Sequence, residues 1–188
     1  MTNKPLSLIF SSLLAMSCIS SFAAGDKTLV VYYSHSGITK DVAQKAAALA
    51  GADLFEIEPE IAYSDKDVDY RDPNSRASKE HADASSRPAI KKMPDNLSQY
   101  GTVLIGYPIW WGEAPRIIYT FSESVNLDGI AAAPFCTSGS SGIGNSAELL
   151  AEHASKNTLW MSGKCFDGSS TQKDVQSWLD SIGIATKE

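Results

Sequence analysis

The most regular pattern of apolar positions lies near the start of the chain. Residues 28–33 form an unbroken run of β-branched, leucine and aromatic side chains, which is typical of a strand buried on both faces. Four residues of Ser, His and Gly follow. From Thr39 onward, apolar residues recur at helical spacing, namely Val42, Ala43, Ala46, Ala47 and Ala50. The pattern predicts a strand, a tight loop and a helix.

The same alternation continues along the chain. Four further strands are predicted at residues 53–59, 102–107, 130–136 and 158–165. Helical patterns begin after Pro115, after Asn145 (which forms a predicted capping pair with Glu148) and before an apolar stripe of Val175, Trp178, Leu179 and Ile182. Five strand–helix alternations predict an α/β fold, a doubly wound five-stranded parallel sheet with helices on both faces. No internal repeat or interdomain linker interrupts it.

Residues 60–100 do not follow this alternation of strands and helices, because they contain many charged and few large apolar residues. A structureless loop of this length is improbable in a compact domain. We therefore expect a helix near residues 74–86, capped by Asn74 and laid over the sheet between long loops. Its charges are interpreted as a solvated face. His81 and His153 lack ligand-spaced neighbours and are interpreted as surface residues, so no metal site is predicted.

The first residues predict a secretory signal peptide. Lys4 is the only charge before Asp26, residues 6–16 are largely apolar, and residues 21–23 read Ser-Phe-Ala. Cleavage after Ala23 would leave a single domain, residues 24–188, in the periplasm or secreted by a Sec-type route. The stretch is too short to span a membrane. A lipid anchor at Cys18 and a disordered or buried N-terminal helix are the alternatives.

The composition of the 188-residue chain, with 43% hydrophobic and 20% charged residues, fits one globular domain. The formal net charge is −6, and loss of Lys4 with the leader would make it −7. This negative charge argues against nucleic-acid binding.

Residues 34–39 predict an anion site, because the first amides of a helix lack partners within the helix and point outward. Ser34, Ser36 and Thr39 add hydroxyls, and Gly37 permits close approach. The spacing matches neither a nucleotide-triphosphate loop nor a dinucleotide fingerprint. Simple helix capping by these residues remains the alternative.

Two more loops follow predicted strands. Residues 108–114 contain adjacent tryptophans, of which one is expected to pack inward while the other offers a flat face for a ring. Residues 137–144 are rich in Ser and Gly. Ligands of parallel sheets bind beyond the carboxyl ends of the strands, so the three loops should converge there.

With these three motifs in order, the chain from about residue 27 to 184 resembles the flavodoxin family. The resemblance implies a flavodoxin-like fold with strand order 2-1-3-4-5 and FMN as cofactor, with its phosphate on the first loop and its isoalloxazine between the other two. By position, the implied cofactor-binding residues are Ser34, His35, Ser36, Gly37, Ile38 and Thr39; Pro108, Ile109, Trp110, Trp111 and Gly112; and Thr137, Ser138, Gly139 and Gly142.

The third loop departs from the family, because many flavodoxins have a tyrosine there and residues 137–144 contain no aromatic side chain. The second flavin face is therefore open, or covered by residues 60–100. The resemblance implies an electron-transfer protein with unidentified redox partner proteins, and the predicted signal peptide implies that it is exported. The alternatives are an FMN-dependent reductase of quinones or similar small molecules and a scaffold without FMN.

In the flavodoxin strand order the fourth and fifth strands are neighbours, which places Cys136 beside Cys165. A disulfide between them is predicted, with two buried thiols as the alternative.

Overall fold

The structure is a computed structural model that describes residues 25–187. The predicted signal peptide, residues 1–23, and Cys18 lie outside the described residues. None of the helices within residues 25–187 is both long and apolar enough to cross a membrane.

One sheet of parallel strands forms the centre of the molecule, in the order β2-β1-β3-β4-β5, with β6 also paired to β4. This confirms the predicted fold class and strand order. The strands are β1 Lys27–Tyr32, β2 Asp53–Glu56, β3 Tyr100–Pro108, β4 Ala131–Thr137, β5 Leu159–Trp160 and β6 Lys164–Phe166.

The fifth predicted strand is broken into β5 and β6, which corrects the expectation of one strand over residues 158–165. The carbonyl of Ala132 in β4 accepts a hydrogen bond from the Met161 amide, so the polar backbone groups of Ala132 face the fifth strand. Two residues later, the backbone nitrogen and carbonyl of Pro134 also face the fifth strand. Pro134 has no amide hydrogen to donate, so the pairing is interrupted there.

Five α-helices and one short 3₁₀ helix accompany the sheet. The α-helices are α1 Ile38–Ala50, α2 Arg76–Ala82, α3 Arg116–Ser124, α4 Ser146–Glu152 and α5 Gln172–Ser181, and the 3₁₀ helix is Leu97–Gln99. Helices α1 and α5 cover one face, while α3 and α4 lie on the other. The prediction of helices on both faces is confirmed.

Two predicted helix caps differ in detail from the structure, although Asn145 does occupy the N-cap position of α4. Helix α2 begins at Arg76 and is capped by Ser75, because the Asn74 amide is held by the Asp72 carboxylate in the preceding turn. The Asn145 side chain makes no capping bond at α4. Ser146 is instead buried there, with its hydroxyl donating to the Ile143 carbonyl.

Residues 57–99, called here the long connection, join β2 to β3 across the second face of the sheet. The connection closes on itself through an antiparallel bridge between Pro59 and Ile90. Tyr63 is buried, and Val68, Ile90 and Met93 also pack against the core of this face. The predicted cover over the sheet is therefore present, but its helix has only seven residues.

Candidate functional site

Three loops meet at the carboxyl edge of the sheet, after β1, β3 and β4. They border a cleft of about 210 Å³. Its lining residues are Ser36, Ile38, Pro108, Ile109, Thr137, Ser138, Gly139, Asp167 and Gly168. The structure thus brings together members of all three predicted loops, as the parallel topology requires.

Three larger clefts lie elsewhere among residues 25–187: one of about 440 Å³ near the amino ends of β3 and β4, one of about 520 Å³ beside α5, and one of about 330 Å³ at the carboxyl ends of α3 and α4. None of the three borders the amino-terminal turn of α1. We identify the smaller cleft as the candidate site because it combines that helix end with the convergent loops.

The first loop presents unpartnered amides. Gly37 adopts a φ of 89°, which favours glycine, and its amide donates to the Ser34 hydroxyl over 3.1 Å. In the part of the chain that the structure describes, no group accepts a hydrogen bond from the amides of Ile38, Thr39 or Lys40. Three free amides at the start of a 13-residue helix make this turn a candidate anion site.

Thr39 connects the first loop to the third. Its side chain is only 1% exposed, and its hydroxyl lies 2.7 Å from the hydroxyl of Thr137. This buried bond fixes the start of α1 against the end of β4. The amide of Thr39 is therefore free for an anion while the hydroxyl is engaged within the protein.

His35 faces the long connection instead of the cleft. Its Nε2 atom lies 3.2 Å from a carboxylate oxygen of Asp65. This contact between His35 and Asp65 joins the first loop to the long connection. The spacing of residues in the sequence did not indicate it.

The two tryptophans have different surroundings, and one of them packs inward as predicted, although neither lines the cleft; the role of the other as a face for the flavin ring stays a prediction. Trp110 packs edge-on against Tyr33 and Tyr63, with ring centroids 5.7 and 5.3 Å away. Trp111 is 37% exposed and stacks nearly parallel on His81 at 5.5 Å.

A tight turn produces this division. The amide and carbonyl of Trp110 bond to the carbonyl and amide of Glu113 at 2.9 and 3.0 Å. The two residues between them have positive φ, 50° at Trp111 and 83° at Gly112. That pattern is typical of a type I′ turn, in which both central residues require positive φ. Trp111 therefore stands at the tip of the turn.

The third loop is organised by Ser138. Its amide donates to the Phe166 carbonyl, and its hydroxyl lies 2.8 Å from that of Ser141. Gly139 lines the cleft, whereas Gly142 is exposed outside its lining.

Comparisons with known proteins agree with this architecture. A sequence profile described as flavodoxin matches residues 27–182. The chain belongs to the flavodoxin family. Among solved structures, a protein of Bacteroides eggerthii that is provisionally designated a flavoprotein is 42% identical, with a TM-score of 0.79, over 85% of this flavodoxin and 99% of that chain.

Two further structures extend the comparison. A protein of Bacteroides uniformis with the same provisional designation is 38% identical, with a TM-score of 0.79, over 83% of this flavodoxin and 99% of its own length. A flavoprotein of Lactobacillus acidophilus, solved in complex with FMN, shares the fold at 22% identity and a TM-score of 0.64, over 84% and 99% of the two chains. No curated protein matches this flavodoxin.

Sequence reasoning missed a fourth loop at the cleft, formed by Asp167 and Gly168 after β6. An Asp-Gly-Ser-Ser turn after a predicted strand could have indicated it. The Ser169 hydroxyl and amide donate to the Asp167 carboxylate and hold its pKa below the ordinary value. Asp167 therefore carries a negative charge at the rim of the flavodoxin site.

The two cysteines are neighbours, but the disulfide predicted between them is not present. Cys136 and Cys165 are register partners in β4 and β6, and both are free thiols. Cys136 is fully buried, whereas Cys165 is partly exposed. The strand order was sufficient to predict their proximity but not their oxidation state.

Proposed function

We propose that this flavodoxin binds FMN and transfers electrons as an exported protein. The observation that carries the proposal is the set of free amides at Ile38, Thr39 and Lys40 beside the cleft. A phosphate supplies the acceptors that these amides lack. The FMN complex of the Lactobacillus acidophilus flavoprotein, which has the same fold, supports the same cofactor here.

The residues around the cleft fit the two ends of FMN. Ser36 and the amides of the first turn of α1 would hold the phosphate. Pro108 and Ile109 on one side and residues 137–139 on the other would border the flavin ring. Bound FMN would supply one-electron or two-electron transfer.

The protein would tune that chemistry through charge. Asp167 lies at the cleft, and the chain has a formal net charge of −6. Negative surroundings oppose the addition of further negative charge to a cofactor, so they should lower its reduction potential. The same field would guide a positively charged redox partner toward this edge.

An electron carrier is proposed ahead of a reductase because the proposed export would separate the protein from the soluble nicotinamide donors of the cytoplasm. The reductase alternative is favoured by the absence of an aromatic residue in the third loop, and a screen of anaerobic reduction by nicotinamide donors with quinone acceptors distinguishes the two.

Calorimetric titration with FMN and riboflavin tests the cofactor assignment. Hydrogen bonds to a charged group contribute about 1.5–3 kcal/mol each, so two of them predict at least about 100-fold tighter binding of FMN. Equal affinities would contradict the phosphate site. Absence of binding to either ligand would favour the scaffold alternative.

Export is tested separately by cell fractionation and N-terminal sequencing. We expect the protein in the periplasm or medium, with its first residue at Ala24. A full-length chain confined to the cytoplasm would refute export without affecting the FMN assignment.

A further inference from the structure

A pair of thiols lies directly behind the third loop. Cys136 in β4 and Cys165 in β6 are register partners, so their side chains leave the sheet on the same face. Both belong to the core of the face that carries α3 and α4. The thiols also interact with each other. Burial, followed by the contact with Cys165, raises the pKa of Cys136 above its ordinary value.

We propose that Cys136 and Cys165 form a second redox site, a dithiol that closes reversibly to a disulfide and alters the third loop. Neighbouring strands lie about 4.8 Å apart. Disulfides require Cα separations of roughly 4.4–6.8 Å, so the backbone needs no large movement to allow the bond. The site takes disulfides, either small molecules or proteins, as its oxidants.

The different exposure of the two thiols fixes the order of the steps. The thiolate of Cys165, which is partly exposed, attacks the disulfide of the oxidant and releases one thiolate from it. Cys136 then attacks the Cys165 sulfur in the mixed disulfide and expels the second thiolate. The thiol protons of the two cysteines end on the released thiolates. Two electrons and two protons thus pass from the protein to the oxidant, and the reverse sequence reduces the pair.

Formation of the disulfide affects the third loop because it removes the thiol proton of Cys165, which is a hydrogen-bond donor to that loop. The sulfur of Cys165 lies 3.5 Å from the carbonyl oxygen of Ser141 and 3.6 Å from that of Phe166, so its single thiol proton is shared between these two acceptors. The hydroxyl of Ser141 lies in turn 2.8 Å from that of Ser138, which lines the cleft. A disulfide has no thiol proton, so the Ser141 carbonyl loses this donor. The loop should therefore be less constrained in the oxidised form.

The first test measures formation of the bond. The whole purified protein is equilibrated with reduced and oxidised glutathione over a range of ratios, quenched with acid, denatured and analysed by thiol titration and intact mass. We expect both thiols to disappear together, with loss of two hydrogen atoms and no retained glutathione. A Cys165→Ser variant should keep its single thiol unmodified, because Cys136 is buried. Persistence of two thiols at the most oxidising ratio, or a stable glutathione adduct on Cys165, would overturn the proposal.

The second test measures the coupling to the loop. Hydrogen–deuterium exchange of residues 138–144 is compared between the dithiol and disulfide forms, with residues 42–49 of α1 as the internal control. We expect faster exchange in the loop of the disulfide form and no change in the control helix. Oxidation with unchanged exchange in both segments would overturn the coupling. Neither test uses FMN, so failure here is distinguishable from failure of the proposed function.

Discussion

On one face of the sheet, α1 and α5 bury a mainly apolar layer, in which Tyr32 bonds to a glutamate, Glu56, whereas on the other face the long connection packs through Tyr63, which is held by a glutamate and an arginine. The first layer contains the alanines of α1 and an aromatic group of Phe135, Phe166 and Trp178. On the second face, Tyr63 donates to Glu80 over 2.5 Å, and the guanidinium of Arg76 lies 3.9 Å from the Tyr63 ring centroid.

The difference shows two ways of covering a parallel sheet. The apolar layer depends on volume and shape, since any group of the right size contributes by leaving water. The second layer depends on particular partners, because a buried hydroxyl or carboxylate is costly unless it is hydrogen-bonded. The long connection belongs to the second kind, which explains how a segment with few large apolar residues can remain attached to the sheet.

The largest expected effect is on the apolar face. Phe135→Ala should lower the free energy of unfolding by about 3–5 kcal/mol, because the ring fills space between Phe166 and Trp178 and leaves a cavity. Urea denaturation measures the loss. Leu159→Ala, on a side chain that is 60% exposed, is the matched control and should cost less than about 0.5 kcal/mol. If the alanine variant does not fold, Phe135→Leu should still fold with a loss below about 1.5 kcal/mol. Equal stability of Phe135→Ala and wild type would refute the packing argument.

The next effect separates the adjacent tryptophans. Trp110→Ala should cost about 3 kcal/mol of stability, because it removes the ring between Tyr33 and Tyr63. Trp111→Ala should change stability by less than about 1 kcal/mol, since the side chain is largely at the surface. Under the proposed function it should weaken FMN by up to about tenfold, the value of one aromatic contact. Thermal denaturation and FMN titration of both variants make the measurement. If Trp110→Ala weakens FMN binding more than Trp111→Ala does, the flavin ring does not lie against Trp111.

A third effect concerns the polar anchoring of the long connection. Arg76→Met removes the ion pair with Glu80, whose side chain is 13% exposed, and the bond to the Ile61 carbonyl. We expect a loss of about 2 kcal/mol, because Glu80 keeps its charge with fewer partners. Arg71→Met is the control: Arg71 also pairs with a carboxylate, that of Asp69, but is 77% exposed and should cost less than about 1 kcal/mol. Equal losses in the two variants would show that the connection is not anchored through Arg76.

The same contrast explains which parts of the fold could be predicted from sequence. Runs of β-branched residues and helical spacing reflect burial in an apolar layer, so the first four strands and the helices of both faces were predicted from them, whereas the strand order was implied by the resemblance to the flavodoxin family. The break between β5 and β6 was missed because its cause, Pro134, lies in the neighbouring strand. The cap of α2 was assigned to Asn74 because only the folded turn shows that Asp72 holds that amide.

The candidate site shows the same limit. The three loops were predicted because each follows a strand, and parallel strands place their carboxyl ends together. Asp167 and Gly168 were missed because they depend on where the interrupted strand resumes. The contacts of His35 with Asp65 and of Trp111 with His81 join residues that are at least thirty positions apart, with no periodic pattern to indicate them.

The smallest effect is the pH dependence of a second polar anchor. Arg87 of the long connection donates twice to Glu123 in α3, at 2.7 and 2.6 Å, and His153 lies 2.7 Å from the same carboxylate. The hydrogen bonds from Arg87, with a further contribution from His153, hold the pKa of Glu123 below its ordinary value of 4.5. A carboxylate whose pKa is lowered by folding stabilises the protein above its unfolded pKa, and this contribution is lost as the pH falls through the folded pKa.

We therefore expect Glu123→Gln to be less stable than wild type at pH 7, by less than about 1 kcal/mol because the pair is partly exposed to solvent. The difference should persist down to about pH 5 and shrink below about pH 4.5, as protonation removes the same charge from the wild-type protein. Thermal denaturation between pH 3 and 7 measures it, with Glu152→Gln as the control, since Glu152 has no ion pair among residues 25–187. A difference that stays constant to pH 3 would assign the effect to packing of the side chain. A difference that vanishes at pH 7 would show that the Arg87 contact, despite its two hydrogen bonds, contributes nothing to anchoring the long connection.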